Sequence, residues 1–501
     1  MHEEHRGQSG ANSGEHRVLI VGGGITGLSA AHYVRKEADK LGLNCRIVLT
    51  EGSDKLGGKI HTMYRDRFVI EKGPDSFLAR KQPIIDLTKE LGLEGELTGT
   101  NPNAKKTYIL RRGRLHRLPQ GLVLGIPTEV KPFIKTGLIS PAGKARAALD
   151  LMLPRRSSNE DESLGDFLER RLGREVLDRI AEPLLAGIYA GDTHALSLRA
   201  TFPQFHEIEK KHRSLILGMI AGKSTPAPAP GKQLPNAGKG TVFYTYKRGL
   251  QTLVAALTDE LRQAGVELRT AAMVESLHKT EDDGGYEVRV SVRGAAPVTE
   301  TYDSVILTTP GYATAELLSG LPAAAHLRDM AYISVANIIL GFKAKEIKFQ
   351  MDGTGFVIPR TEGTTITACT WTSIKWLHTA PEDSVVLRCY VGRSGEEGWR
   401  TLSDEELVMR VRADLQNILG ITAVPEFTEV TRLLRSMPQY PVGHLEAIAE
   451  LERQLDTYLP GVYATGAAFR GVGLPDCVGQ AKETARRLVA HAVSRAAAPS
   501  A

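Results

Sequence analysis

Apolar and polar residues alternate along the chain in a way that predicts strands and helices in a repeating order. From Arg17, the apolar run RVLIV is followed by a glycine-rich segment, a helical pattern and a second apolar run, CRIVLTEG. Short apolar runs separated by a helical pattern are typical of a strand–helix–strand unit with parallel strands. The beginning of the chain therefore predicts the start of an α/β domain.

The later patterns predict an interrupted domain. Residues 83–240 are mainly helical in pattern, with Ser163 placed to cap one helix and a Pro/Gly/Lys-rich stretch, 222–240, that we expect to be a mobile loop. Residues 335–392 contain four β-rich runs that favour a mainly antiparallel sheet. The last segment, from about residue 462, returns to strand, glycine loop and helix.

One nucleotide-binding domain built from separated pieces explains this order. We expect an α/β fold in which a Rossmann-like domain comprises residues 17–82, 241–313 and 430–501. A helical insert with part of the substrate site would occupy 83–240, and a substrate-binding sheet domain would occupy 314–429. Residues 1–16 are polar, and we expect them to be disordered.

Composition and charge exclude several classes of protein. The 501 residues are 42% hydrophobic and 24% charged, which is ordinary for a folded chain. A net charge of +5 over this length does not indicate a nucleic-acid partner. The four cysteines lack zinc or disulfide spacing, so no metal site is expected. No apolar stretch is long enough to span a membrane, so we expect a cytoplasmic protein, and peripheral membrane contact stays open.

The glycine segment after the first strand carries a dinucleotide-binding pattern. Gly22, Gly24 and Gly27 form G-x-G-x-x-G between a strand and a helix. They allow a tight turn, close approach of the backbone to a pyrophosphate, and close packing of helix and strand. Glu51 ends the second strand, where a carboxylate would accept hydrogen bonds from ribose hydroxyls and repel the 2′-phosphate of NADP. A glycine-rich turn without a ligand is the alternative.

Two further segments favour FAD over NAD. The turn Gly57-Gly58-Lys59 follows Glu51 and can bring Lys59 towards phosphate or ribose. Near the other end, VYATGAAFRGVG predicts a strand that ends at Gly466, where the backbone could approach the pyrophosphate. The helix that follows could point its positive amino terminus at the flavin ring. The expected cofactor-binding residues in these pieces are Gly22, Gly23, Gly24, Ile25, Thr26, Gly27, Glu51, Gly52, Gly58, Lys59, Gly466, Val472, Gly473 and Leu474.

Several stretches give the chain a family resemblance that extends from the first strand almost to the end. With its three-part layout and its terminal GVGLPDCVGQA segment, the chain resembles the flavin amine oxidase superfamily. Within it, the chain is most similar to the protoporphyrinogen/coproporphyrinogen oxidase branch, and around Gly73 to the enzymes of Gram-positive bacteria. The matching stretches are EKGPDSF (71–77), RRGRLHRLPQG (111–121), EPLLAGIYAGD (182–192), FPQF with HRSLILG (202–218), and SMPQYPVGH (436–444).

The resemblance implies FAD-dependent oxidation of coproporphyrinogen III to coproporphyrin III in haem biosynthesis. Six electrons would leave in three flavin cycles, with molecular oxygen as acceptor and hydrogen peroxide as product. Relatives that bind flavin covalently have a cysteine where this chain has residues 467–471, AAFRG, so the FAD is expected to be noncovalent. Oxidation of protoporphyrinogen IX and a non-catalytic flavin-fold binding protein are the alternatives. Handover of the product to the next haem-pathway enzyme is left open.

The resemblance also assigns roles to individual residues. Lys72 would lie at the flavin edge as the candidate catalytic residue, where a cation could attract a propionate or tune a proton transfer; a surface lysine is the alternative. Ile188 and Tyr189 would form a wall of the substrate pocket, unless they serve only as packing at a helix end. The remaining cofactor contacts would come from Gly73, Pro74, Asp75 and Ser76, and from the main chain of Val274 at the adenine, which could instead be a core valine.

Overall fold

The computed structural model describes residues 14–123, 125–224, 241–281 and 284–497. Its strands are β1 His16–Val21, β2 Cys45–Thr50, β3 Thr62–Arg65, β4 Phe68–Glu71, β5 Phe77–Leu78, β6 Leu97–Gly99, β7 Lys106–Arg111, β8 Arg114–Arg117, β9 Leu122–Val123, β10 Ile126–Pro127, β11 Phe243–Tyr246, β12 Glu267–Arg269, β13 Ala272–Lys279, β14 Tyr286–Val292, β15 Val298–Tyr302, β16 Ser304–Leu307, β17 Tyr332–Lys343, β18 Gly353–Val357, β19 Ile366–Trp371, β20 Ser384–Val391, β21 Phe427–Pro438 and β22 Val462–Ala464.

The α-helices fall between these strands and around them. They are α1 Ile25–Leu41, α2 Gln82–Glu90, α3 Val130–Lys135, α4 Pro141–Ala148, α5 Leu164–Leu172, α6 Arg174–Val176, α7 Glu182–Tyr189, α8 Leu198–Thr201, α9 Pro203–His212, α10 Leu215–Ser224, α11 Gln251–Gln263, α12 Gly311–Leu317, α13 Ala325–Asp329, α14 Thr372–Lys375, α15 Asp404–Leu419, α16 His444–Tyr458 and α17 Leu474–Ala497. Within the described residues, no helix is both long and apolar enough to cross a membrane.

A parallel sheet in the order β12-β2-β1-β16-β22 forms the first core. Alternation along β1 directs Val18 and Ile20 to one face, in a cluster with residues of α1, α11 and α17. Leu19 and Val21 face the other side, where the antiparallel sheet β13-β14-β15 covers them. A parallel sheet buried on both faces is typical of α/β proteins, so the predicted α/β fold is confirmed.

A second sheet, in the order β21-β17-β20-β19-β18-β7-β8, is antiparallel except where β18 pairs with β7. Its outer hairpin, β7–β8, comes from the segment that was expected to be a helical insert. Strand β21 crosses the expected boundary between residues 429 and 430. The strands of this sheet thus fall on both sides of the expected domain boundaries. The division into domains remains a prediction.

The segment 83–240 differs from the helical pattern in several places. It contains β6 to β10. The expected helix from Leu164 is divided, because Gly173 ends α5 with φ +86°, and α6, a short π-helix at Leu177–Ala181 and α7 follow. The predicted cap is confirmed: the Ser163 hydroxyl accepts from the Asp166 N–H. Helix α10 extends to Ser224 in the expected loop, and residues 225–240 lie outside the described residues. His16 already belongs to β1, and residues 1–13 also lie outside.

Candidate functional site

The carboxyl ends of the parallel strands bring together the glycine segments that the sequence singled out. Gly22 follows β1, Glu51 follows β2, and Thr465 follows β22. Parallel strands end at the same edge of a sheet, and ligands of open α/β sheets bind in the crevice at that edge. Segments hundreds of residues apart therefore converge on one region.

The first glycine turn is tightly packed at one end and open at the other. A Cβ on Gly27 would lie 1.8 Å from the carbonyl oxygen of Gly22, so only glycine lets α1 approach β1 this closely. At Gly24 the nearest atom to an added Cβ would be the Cα of Gly58, 4.0 Å away. Helix α1 starts directly after Gly24 without a side-chain cap or an acidic residue in its first turn. Its first N–H groups and positive end are therefore suited to an anionic group.

Glu51 lies beside this turn with its carboxylate held in place. One oxygen accepts from the Gly23 N–H at 2.7 Å, and the other accepts from the Ser53 N–H at 2.8 Å. Each carboxylate oxygen can accept a further hydrogen bond, which suits a ribose hydroxyl. The Ala272 N–H donates to the Glu51 carbonyl at 2.8 Å, so β13, with partly buried Val274 two residues further on, begins next to Glu51.

The segments around Gly58 and Gly73 run side by side. The Lys72 N–H donates to the His61 carbonyl at 2.8 Å, and a Cβ on Gly73 would lie 1.7 Å from the Lys59 carbonyl oxygen. Gly57 joins this pair to the first turn, because its N–H donates to the Gly23 carbonyl at 2.8 Å. The structure thus brings together the two segments that sequence reasoning treated separately.

Lys59 points its ammonium group to the end of β21. Its Nζ donates to the carbonyl of Ser436, and burial lowers the pKa of Lys59. The structure therefore places this amine at the Ser436 carbonyl. A contact of Lys59 with phosphate or ribose remains a prediction.

Lys72 forms an ion pair with Glu429 of β21. Its Nζ donates to the Glu429 carboxylate, and both side chains are mostly covered, with 19% and 24% exposed. The Asn337 amide donates to the Lys72 carbonyl at 3.0 Å, so main chain and side chain are both fixed to the second sheet. The lysine is neither a free surface side chain nor an unpaired cation.

Asp75 is held in a cluster of charged groups on the second sheet. Its carboxylate accepts from the Ser76 hydroxyl at 2.7 Å and from Lys375 Nζ at 3.3 Å. Burial alone would raise the pKa of Asp75, but the cations of Lys375 and Arg388 outweigh it and hold the pKa well below its usual range. Arg388 also donates to the Gly73 carbonyl. These contacts occupy the Asp75 carboxylate and the Gly73 carbonyl, and the predicted cofactor contacts of Gly73, Pro74, Asp75 and Ser76 remain a prediction.

The terminal glycine turn reaches the start of α1. A Cβ on Gly466, whose φ is +122°, would lie 3.3 Å from the Thr26 hydroxyl oxygen. Among the described residues, neither the buried Gly466 N–H nor the Val472 N–H has a hydrogen-bonding partner. An unpaired buried N–H is costly, so the Gly466 donor fits a site for a bound acceptor, and the partly buried Val472 N–H lies close to it in sequence.

Helix α17 begins at Leu474, directly after Gly473, and presents its amino terminus beside this turn. Asp476 in its first turn accepts from Lys81 Nζ at 2.6 Å. The paired lysine offsets the acidic charge, so the positive end of the helix dipole is retained. The N–H groups and the open space at Gly24 therefore suit a dinucleotide that extends from α1 to α17.

Sequence reasoning missed the role of two aromatic side chains in the 436–444 stretch. Tyr440 and His444 contact the backbone of the terminal turn, between Ala467 and Gly471. The stretch was noticed only as a matching motif. Neither residue type nor spacing indicates a contact with a turn about 30 positions further on, so no local signal could have found it.

The two expected substrate residues have different surroundings. Tyr189 is buried and its ring makes an edge contact with that of Tyr440, with centroids 6.1 Å apart. Ile188 is 36% exposed. The end of α7 is therefore packed against the stretch that holds the terminal turn, and Ile188 is the side chain available to another molecule.

Comparison with known proteins gives matches over nearly the whole chain. A family model described as flavin containing amine oxidoreductase matches residues 25–489. Coproporphyrinogen III oxidase of Bacillus subtilis (strain 168) is 46% identical, covering 94% of this chain and 97% of the relative. Its counterpart from Staphylococcus aureus (strain NCTC 8325 / PS 47) is 40% identical, covering 95% and 99%. The chloroplastic protoporphyrinogen oxidase of Nicotiana tabacum is 29% identical, covering 95% and 86%.

Solved structures also match nearly the whole chain. The crystal structure of a candidate protoporphyrinogen oxidase from Exiguobacterium sp. 255-15 has a TM-score of 0.82 and 35% identity, covering 95% of this chain and 99% of that one. A variant of putrescine oxidase has a TM-score of 0.67 at 16% identity, covering 95% and 99%, and shows the fold alone.

Proposed function

The chain belongs to the family of flavin-containing amine oxidoreductases, and from this premise we propose that it oxidises coproporphyrinogen III to coproporphyrin III in haem biosynthesis. The proposal rests on the two bacterial relatives that bear this activity in their names and match almost the entire chain. The plant protoporphyrinogen oxidase is more distant, which favours the four-propionate substrate over protoporphyrinogen IX.

We propose FAD, bound without a covalent link, as the cofactor. The terminal turn has no cysteine between residues 467 and 471, and Cys477 is buried further on, where burial raises the pKa of its thiol to about 11. A protonated thiol is a poor nucleophile. Precipitating the protein with acid should therefore release all of the flavin, and flavin left on the protein would contradict the proposal.

The bound flavin would accept electrons in pairs and pass them to molecular oxygen, giving hydrogen peroxide. A porphyrinogen loses six electrons and six protons to become a porphyrin, so the balance requires three oxygen molecules and yields three of peroxide. The protein must then bind, orient and shield the reactants over successive rounds.

The residues at the sheet edge would divide the binding of FAD between them. The start of α1 would hold the pyrophosphate, and Glu51 would accept from the ribose hydroxyls. The N–H groups of Gly466 and Val472, which have no partner among the described residues, would donate to the cofactor from the other side. The positive end of α17 would favour negative charge on the ring, which helps the uptake of electrons.

Lys72 remains our candidate for a direct effect on the reaction. Its pairing with Glu429 fixes the ammonium group and offsets its charge. We propose that Lys72 attracts a propionate or tunes a proton transfer through this fixed position, with Glu429 limiting how strongly it binds anions. Tyr189 and Ile188 would bound the substrate from α7.

A cytoplasmic location and transfer of the product to the next haem-pathway enzyme complete the proposal. The substrate and the product each carry four propionates, and burying such charges in a lipid phase is costly. Both molecules therefore suit an enzyme that works in water. Release of the product directly to a partner enzyme would shorten the time that the porphyrin spends free in water.

The observation that carries the proposal is the convergence of the Gly22, Glu51 and Gly466 segments at one sheet edge, in a chain that matches porphyrinogen oxidases throughout. The purified holoenzyme is mixed with coproporphyrinogen III in air, and porphyrin fluorescence and peroxide are followed together, with catalase absent. We expect three peroxides for each coproporphyrin. A yellow protein without turnover would instead support a non-catalytic binding role, and a protein that cannot take up flavin would contradict the cofactor.

A further inference from the structure

The terminal turn, residues 466–471, is fixed by side chains more than by regular secondary structure. The Tyr440 hydroxyl donates to the Ala467 carbonyl at 2.6 Å and accepts from the Gly471 N–H at 3.1 Å. The Tyr440 side chain is fully buried. One hydroxyl group therefore closes the turn across its two ends.

His444 holds the middle of the same turn. Its Nε2 lies 2.7 Å from the Phe469 carbonyl, which can only accept, so Nε2 carries the proton. Its Nδ1 is then free to accept from Nε2 of His326 at 2.9 Å. Burial lowers the pKa of His444 to about 4, so the ring is neutral at pH 7. The Tyr440 and His444 rings stack with centroids 4.3 Å apart, so the two anchors support each other.

The two anchors matter because the N–H groups of Gly466, in the turn, and of Val472, directly after it, have no hydrogen-bonding partner among the described residues. Gly466 and Gly471 both have positive φ, conformations that glycine reaches with little penalty and leaves as readily. Without the anchors, peptide groups of the turn could rotate and redirect the N–H groups of Gly466 and Val472. Donors that are already in position bind a ligand more tightly than donors that must be ordered first.

We propose that Tyr440 and His444 are positioning residues that hold the 466–471 turn in the conformation that receives FAD. They set the affinity for the cofactor through the backbone of the turn, and they need not touch the cofactor. The inference rests on the proposed binding of FAD.

The test compares Tyr440→Phe with Tyr246→Phe. Both tyrosines are fully buried and each hydroxyl has a partner, but the Tyr246 hydroxyl bonds to Thr88 at 2.7 Å, away from the turn. The apoproteins are titrated with FAD by flavin fluorescence, and hydrogen exchange of residues 466–473 is measured without FAD. Tyr440→Phe should weaken FAD binding by about tenfold or more, as expected from two lost hydrogen bonds, and speed exchange in the turn. Tyr246→Phe should leave the FAD affinity and the exchange rate of the turn within about twofold of the wild type, because it breaks only one hydrogen bond, away from the turn.

A second pair of variants covers the case in which Tyr440→Phe does not fold. His444→Gln retains an N–H that can reach the Phe469 carbonyl and should bind FAD more tightly than His444→Ala. FAD affinity and turn exchange in Tyr440→Phe equal to those of Tyr246→Phe would overturn the positioning role. Equal affinities for the two His444 variants would also overturn it. Failure of the wild-type apoprotein to bind FAD would instead contradict the proposed function, whatever the exchange rates show.

Discussion

The ammonium group of Lys72 is paired with the carboxylate of Glu429, a residue 357 positions further along the chain. The pair joins the loop beside Gly73 to the edge strand β21 of the second sheet. It therefore lies where the dinucleotide-binding sheet and the second sheet come together. A lysine in this position can influence a substrate only through a geometry that Glu429 helps to set.

Replacing Lys72 by alanine should lower turnover of coproporphyrinogen III by about tenfold, the cost typical of one charge-assisted hydrogen bond. The flavin should stay bound, because the Lys72 side chain pairs with Glu429, and alanine retains the main-chain hydrogen bonds to His61 and Asn337. Steady-state rates and the flavin absorption spectrum measure the two effects. Lys72→Arg should retain more activity than Lys72→Ala. Lys40, which is 69% exposed, provides the control substitution Lys40→Ala, and unchanged kinetics in Lys72→Ala would return Lys72 to a purely structural role.

Stability of the helical segment should depend on the pair formed by Asp150 and Arg171, both fully buried. Arg171 Nε donates to Asp150 Oδ1 at 2.5 Å, and Asp150 Oδ2 accepts from the Ser214 hydroxyl at 2.6 Å. Removing Asp150 leaves the buried Arg171 guanidinium with only the more distant carboxylate of Glu209, 3.4 Å from its Nη1. Asp150→Ala should therefore lower the free energy of unfolding by about 3–5 kcal/mol, the range typical of a broken buried ion pair. Chemical denaturation measures the change.

The exposed pair of Glu450 and Arg453 is the matched control. Glu450→Ala should change the free energy of unfolding far less than Asp150→Ala does, because an exposed ion pair in water contributes little to stability. Similar effects of the two substitutions would show that burial does not increase the contribution of the Asp150–Arg171 pair to the free energy of unfolding.

The pH dependence of stability should reveal His32, which lies between two carboxylates. Its Nδ1 is 3.1 Å from Glu260 and its Nε2 is 3.0 Å from Glu90. Burial alone would lower the pKa of His32, but the hydrogen bonds to Glu260 and Glu90 outweigh it and raise the pKa above 6.5. The protonated ring binds both carboxylates, so its contribution is complete below about pH 6.5 and is lost as pH rises through the folded-state pKa.

Thermal melting of the wild type and of His32→Gln from pH 6 to pH 9 measures this contribution. We expect the wild type to melt higher at pH 6 and the difference in Tm to shrink as pH rises. A difference that stays constant or grows would contradict the pairing.

The sequence allowed prediction of the parts of the site that depend on local rules. The spacing of Gly22, Gly24 and Gly27 between a strand and a helix requires a close approach of backbone, and Glu51 at the next strand end follows from parallel pairing. These relationships are set within one strand–helix–strand unit.

The contacts that hold the site could not be predicted, because they join distant segments. Nothing around Lys72 indicates that Glu429 will face it, and nothing around Tyr440 indicates that its hydroxyl closes a turn at Ala467. The hairpin β7–β8 joins the second sheet through edge pairing with β18, which leaves no periodic pattern in the sequence. Tertiary packing decides such contacts, and one chain read alone does not reveal it.

The ratio of kcat/KM for coproporphyrinogen III and protoporphyrinogen IX, measured in parallel in air by porphyrin fluorescence, identifies the preferred substrate. We predict a clear preference for coproporphyrinogen III, by about tenfold or more, since each unmatched charged contact costs roughly 1.4 kcal/mol or more. Equal kcat/KM values, or a preference for protoporphyrinogen IX, would contradict the proposed oxidation of coproporphyrinogen III.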